Sequence, residues 1–206
     1  MGGVDDAEIS RFWADARVRG GLNPAGAYLG ANVSETLPPP AWSFGSTPQE
    51  ADRLLELVLA GRKTATATSL HEYEDEARRR ADAEDHELPD DRGASGSGDT
   101  LVRAAVDVAL PEPGLLSIVL DGHERPRALI RTTHVDVVRF GDVDEDHARR
   151  EGEGTLEEWR SAHRAHFAGS AAPGEQVTDD TMVVLERFVV VVPASARRAA
   201  KRAGLL

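Results

Sequence analysis

Two short stretches of this chain combine residue types that do chemistry. The first is Gly61-Arg62-Lys63-Thr64-Ala65-Thr66. It sets two cations and two hydroxyls in six residues, a pattern suited to an anionic or strongly polar ligand. Of 24 basic residues only Lys63 and Lys201 are lysine. Lysine loses its proton when desolvated and arginine effectively does not, so a chain this biased toward arginine keeps at 63 the cation with acid–base capacity. The second stretch is Glu151-Gly152-Glu153-Gly154-Thr155. Two carboxylates stand in a glycine-punctuated junction ahead of a helix N-terminus, where free N–H groups and positive potential favour anions and a carboxyl group can act as general acid or base. Taken singly, each stretch also reads as a solvated turn. Neither is a P-loop, because the order of glycines and lysine is wrong and a helix ends at Gly61 where a P-loop would begin one.

Other constellations carry less. His147 and Glu151 are four apart, on one helical face. His163 and His166 are three apart. No spacing fixes a third ligand, so no metal site is assigned, and His163 is expected to pack or hydrogen-bond beside Trp159. No Gly-x-Ser-x-Gly elbow exists. Ser43 and Ser46 read as turn residues.

The elements that must position these groups are well signalled in places. Thr47-Pro48-Gln49-Glu50 is a capping box with proline at the first helical position, followed by an apolar face of Ala51, Leu54, Leu55, Val58 and Leu59 and by the helix stop Gly61. This predicts a helix over about 48–60 with Lys63 at its exit. The alternating Thr64–Thr68 run then reads as a strand. Lys63 and Thr66 differ by an odd number, so Lys63 is expected in the loop before that strand. Thr155-Leu156-Glu157-Glu158 is a second capping box, opening a helix to about Phe167. Strands are predicted over 102–110, 115–120, 128–140 (long and bent) and 181–192, and helices over 5–19, 72–84 and from 144. Residues 194–204 read as a short basic helix or tail. Strands with interspersed helices and no regular βαβ alternation indicate α+β with a curled or closed sheet. The predicted organisation is a helical N-terminal extension and linker over 1–40, a domain over 41–193 and a basic C-terminal tail over 194–206. An acidic, Gly/Ser-rich flexible insertion is expected at about 85–113.

Composition narrows the function classes. The chain has 206 residues and no cysteine, which excludes disulfide scaffolds, thiolate metal sites and thiol catalysis. No run of 18 apolar residues predicts a transmembrane helix, and no signal peptide is evident, so a cytoplasmic protein without membrane partners is expected. The net charge is −12, with eleven acids against four arginines between His71 and Asp99. That opposes coating a polyanion by bulk electrostatics and favours a small substrate over a long RNA. The sequence leaves the oligomeric state open.

Several segments taken together resemble one family. Trp42-Ser43-Phe44-Gly45, Ala51-Asp52-Arg53-Leu54 and Leu57 to Thr66 resemble the opening of ASCH domains, members of the PUA-like superfamily. Ser117 to Gly122, Pro126 and Ile130 to Val135 resemble the middle. Ala148 to Gly154, with Trp159 and His163 behind, resembles the later helical part. The resemblance spans about 41–192 in the family's order. It implies a PUA-like small β-barrel with surrounding helices and a cleft lined by the lysine loop. It also implies action on RNA or an RNA-derived nucleoside, with no DNA partner. Amidohydrolase-type relatives cleave the amide of N4-acetylcytidine. Carried over by position, Lys63 is the proton acceptor, Thr66 the nucleophile and Glu151 the proton donor, with Glu153 as fallback. Arg62, Thr64, Glu153 and Trp42 are the expected substrate-binding residues. The catalyst then needs an uncharged Lys63, through burial and the neighbouring Arg62, and a protonated Glu151. No cofactor is expected for that reaction. The alternatives are a ribonuclease on single-stranded RNA, with a divalent metal at Glu151 or Glu153, and a non-catalytic RNA-binding or ligand-sensing module.

Overall fold

The structure, a computed structural model, describes residues 5–22, 37–87, 108–171 and 176–206. Helix α1 (Asp6–Arg19) is followed by β1 (Ala41–Trp42), α2 (Pro48–Leu59), β2 (Ala65–Ser69) and α3 (Leu70–Glu87). Then come β3 (Leu116–Leu120), β4 (Pro126–Arg139), α4 (Glu145–Glu151), α5 (Leu156–Ser170), β5 (Met182–Val192) and α6 (Ala194–Arg202). The strands form one sheet in the order β1-β3-β4-β5-β2. All ladders are antiparallel except the two-residue parallel pairing of β1 with β3.

The alternation of side chains along β5 sorts the core into two faces. Phe188 and Val190 point to one face, where Leu54, Leu55 and Val58 of α2 and Ala196 of α6 cover them. Val183, Leu185 and Val191 point to the other. There α1 packs Ile9, Trp13 and Ala16 at the β3 end, and α4 and α5 pack Ala148, Trp159 and Phe167 at the β2 end. Helices on both faces explain why β5 reads as a near-continuous valine run. Strand β4 bends as expected, with register shifts at Leu129/Ile130 and Thr132/His134.

The closed barrel implied by the resemblance is corrected. The edges are β1 and β2, and among the described residues no ladder joins them. A two-residue β1 has too few backbone groups to close the sheet onto β2. Most of the strand predicted over 102–110 and most of the acidic insertion lie outside the described residues, and 108–110 are not strand. No helix among the described residues is long and apolar enough to cross a membrane.

Candidate active site

The loop that carries Lys63 is built by the end of α2. Thr47 caps the start of that helix by accepting from the Glu50 N–H, while Glu50 reaches back to the Ser46 N–H. At its end Gly61 takes φ +69°, the Arg62 N–H donates to the Leu57 carbonyl (2.8 Å) and the Gly61 N–H to the Val58 carbonyl (3.0 Å). This reversal turns the chain back against the sheet. A Cβ at Gly61 would meet backbone atoms of α6 at Ala196, Ala199 and Ala200, so that helix abuts the turn directly.

The loop is then strapped to α4. The Thr64 N–H donates to the Arg150 carbonyl (2.7 Å), and the Phe188 N–H donates to that of Thr64 (2.9 Å). Arg150 is held in turn, donating to the Leu205 carbonyl (2.6 Å) and to Asp146 (2.6 Å). Helix α4 ends at Gly152, whose φ is +73°. A Cβ there would stand 2.7 Å from the Arg62 carbonyl oxygen. The two stretches singled out in the sequence are therefore in backbone contact, which brings Lys63 and Glu151 together.

Their side chains form a buried ion pair. Lys63 Nζ donates to Glu151 Oε2 at 2.7 Å, and each residue is 1% exposed. Glu151 Oε1 accepts from Trp159 Nε1 (2.8 Å) and lies 3.1 Å from His147 Nε2 and 3.5 Å from His163 Nε2. The Thr155 capping box opens α5 and sets its phase, so that Trp159, His163 and Phe167 share one buried face. His163 stacks on Trp159 with centroids 4.1 Å apart, as expected from the sequence, and its Nδ1 donates to the Trp159 carbonyl (3.0 Å). His163 Nε2 thus has a proton for Glu151 only in the imidazolium form.

Burial pushes the Glu151 carboxyl pKa up, but Lys63, His147 and His163 together outweigh burial and hold it well below its ordinary value. The expected protonated Glu151 is corrected: Lys63, His147 and His163 hold the carboxyl group as a carboxylate. The Arg62 side chain is exposed and outside the cavity.

Lys63 and Glu151 open onto a cavity of about 130 Å³ lined also by Phe44, Arg53, Thr66 and Glu153. Lys63 lies in the loop before β2, as expected, and Thr66 is inside the strand. Lys63 Nζ has Glu151 as its hydrogen-bond acceptor among the described residues and stands 5.2 Å from the Phe44 ring centroid, leaving N–H donors for a ligand. At the mouth Glu153 pairs with Arg53 (2.6 Å). Of the expected binding residues only Glu153 lines the cavity. Thr64 is buried with an unpaired Oγ1, and Trp42 packs edge-on against Phe44 at 4.7 Å. Sequence reasoning missed Arg53 and Phe44 as lining residues and did not see that Trp159 would bond Glu151. Glu151, Glu153 and His163 bring ligand atoms within 4.8 Å of one another, yet Lys63 and Arg53 already sit on the two carboxylates, which fits a cation site poorly.

An α+β sheet with a lysine–carboxylate pair buried at its β2 edge defines the class. The ASCH domain family matches residues 40–92 and 99–192, and the chain belongs to that family. The chain is similar to a protein from Enterococcus faecalis V583, with TM-score 0.64, 27% identity, and 91% of this chain and 92% of that one covered. It also shares its fold with an ASCH domain from Lactobacillus crispatus JV V101, with TM-score 0.60, 24% identity, and 92% and 96% covered. Comparison with curated proteins gave no match.

Proposed function

We propose that this ASCH domain hydrolyses the amide of an RNA-derived modified nucleoside such as N4-acetylcytidine. The observation that carries the reading is the Lys63–Glu151 pair, 2.7 Å apart, at a cavity that Thr66 also lines. The pair shares one labile proton. Shifted from Nζ to Oε2, it leaves an amine and a carboxylic acid with no exchange with water. The amine takes the Thr66 hydroxyl proton as Oγ1 bonds to the acyl carbon. The C–N bond breaks, the leaving nitrogen takes the proton from Glu151, and the ion pair is restored. Water then splits the acyl–Thr66 ester, releasing the carboxylic acid and regenerating the hydroxyl. Because the cavity is far smaller than the few hundred Å³ usual for whole ligands, it suits the acyl head of a substrate whose remainder lies outside.

Incubation with N4-acetylcytidine, with cytidine and acetate followed by chromatography, tests the reading. Release is expected, and no release at high enzyme concentration overturns it. A metal-dependent ribonuclease would use Glu151, Glu153 and His163, whose ligand atoms lie within 4.8 Å of one another, and would have to displace Lys63 and Arg53 from the two carboxylates. RNA cleavage abolished by EDTA, with no release of cytidine, would favour that second reading.

A further inference from the structure

On the amide-hydrolase reading the cavity of about 130 Å³ takes the acyl head, which leaves the ring of a nucleoside on the surface beside Thr66. The β2–β5 ladder fixes what that surface offers. Thr66 is the register partner of Glu186. Directly opposed residues of an antiparallel pair share a face, with Cβ atoms about 5 Å apart. The same face carries Phe188 and, one strand further, its partner Thr132.

Glu186 is half-buried, and no described cation pairs with it. Instead Tyr73 Oη, from the first turn of α3, donates to Oε1 at 3.3 Å, and Thr132 Oγ1 donates to Oε2 at 3.2 Å. Two hydroxyls orient the carboxyl group and leave one acceptor position on each oxygen. A half-buried carboxyl group held by neutral donors, beside a residue of the cavity, takes no part in the Lys63 pair. Burial raises its pKa, outweighing both hydroxyl donors, so it keeps a proton to higher pH than an ordinary glutamate. Below that raised pKa it can donate as well as accept.

We propose that Glu186, oriented by Tyr73 and Thr132, forms the subsite that reads the heterocycle of the substrate, a ring edge presenting an N–H donor beside a ring-nitrogen acceptor. Cytosine, its N4-acyl derivatives and adenine all present that edge, and the acyl head of the proposed reaction selects cytosine among them. The carboxyl group accepts from the exocyclic N–H, and the acyl group reaches past Thr66 into the cavity. The assignment deepens the amide-hydrolase reading by naming the residue that recognises the heterocycle, and it rests on that reading for the placement of the acyl head and the choice of a cytosine ring.

Binding without turnover separates the two claims. Cytidine carries the edge and no amide. N4,N4-dimethylcytidine keeps the ring nitrogen and loses the N–H. By NMR titration the wild-type protein is expected to bind cytidine at least about tenfold more tightly than the dimethyl derivative, the effect of one hydrogen bond to a charged or strongly polar group. Glu186→Leu is expected to bring the two affinities within about twofold. Tyr73→Phe, which leaves the carboxyl group present but less oriented, should give an intermediate ratio. The ratio reports recognition and not folding, since loss of packing weakens both ligands alike; thermal denaturation of each variant checks that it is folded. Equal affinities in the wild type, no binding of either nucleoside, or an unchanged ratio in Glu186→Leu each overturn the subsite. If N4-acetylcytidine is not hydrolysed and the ratio still collapses in Glu186→Leu, the subsite stands and the amide reaction falls.

Discussion

Replacing Lys63 with methionine keeps most of the volume of the side chain and removes its charge. Lys63 and Glu151 are each 1% exposed, so the variant leaves a carboxylate in the interior without its cation. Removing one partner of a buried pair typically costs about 3–5 kcal/mol. Glu151 keeps Trp159 Nε1 at 2.8 Å and His147 Nε2 at 3.1 Å, which places Lys63→Met near the lower end, about 3 kcal/mol. For a chain of this size that lowers Tm by roughly 6–12 °C. The pH dependence has a definite sign. Glu151 titrates below its ordinary value of 4.5 in the folded protein. Its stabilisation is therefore fully present above the unfolded value and lost as pH falls through the folded one. Taking away Lys63 raises the folded value toward the unfolded one, so the acid limb of the stability curve should flatten. Urea denaturation of both proteins across the acid range and at pH 7, followed by circular dichroism, reads both effects. A loss below about 1 kcal/mol at pH 7, or an acid limb as steep as in the wild type, would refute the buried-pair account.

Three further outcomes are expected. Lys63→Arg keeps the positive charge and removes the group able to act as a base near neutrality, so ligand binding should survive while amide hydrolysis falls by about a hundredfold or more. Gly152→Ala places a Cβ in a left-handed residue and against the Arg62 carbonyl oxygen. It should cost at least about 1–2 kcal/mol in thermal denaturation and lower turnover by moving the Lys63 loop. Thr155→Ala removes the hydroxyl that accepts the Glu158 N–H; about 1 kcal/mol of stability should go with it, and no loss of Tm would contradict the assigned cap.

Local signals in the sequence were enough for the helices that frame the site. The Thr47 box, Pro48 and Gly61 define α2 because caps and stops act within one turn of chain, and the loop position of Lys63 follows from them. The Lys63–Glu151 pairing came through the family resemblance, since it spans 88 residues and depends on a backbone contact between Gly152 and Arg62 that no periodicity encodes. Arg62 and Thr64 stand apart from the cavity for a related reason: of the three residues after Gly61 in the turn that follows α2, Lys63 alone lines it, while Arg62 is exposed. The protonation of Glu151 was misread because the sequence places Arg62 beside Lys63, whereas folding places Lys63 against Glu151. Glu186 sat in plain view as an acid within a strand whose neighbours Val184 and Phe188 share its face. Its meaning needed the register with Thr66, which only the ladder supplies. The open edge was equally hidden, because closure depends on how β1 meets β2 and not on either strand's own pattern.

The bond from Arg150 to the Leu205 carbonyl oxygen has a practical consequence for anyone handling this protein. Leu205 is buried, and the same Arg150 offers its own carbonyl oxygen to the strap on Thr64. A purification handle fused after the exposed Leu206 leaves that strut standing. An expression boundary drawn before Leu205 saws through it, and the damage would surface far along the chain, as a slackened lysine at the cavity.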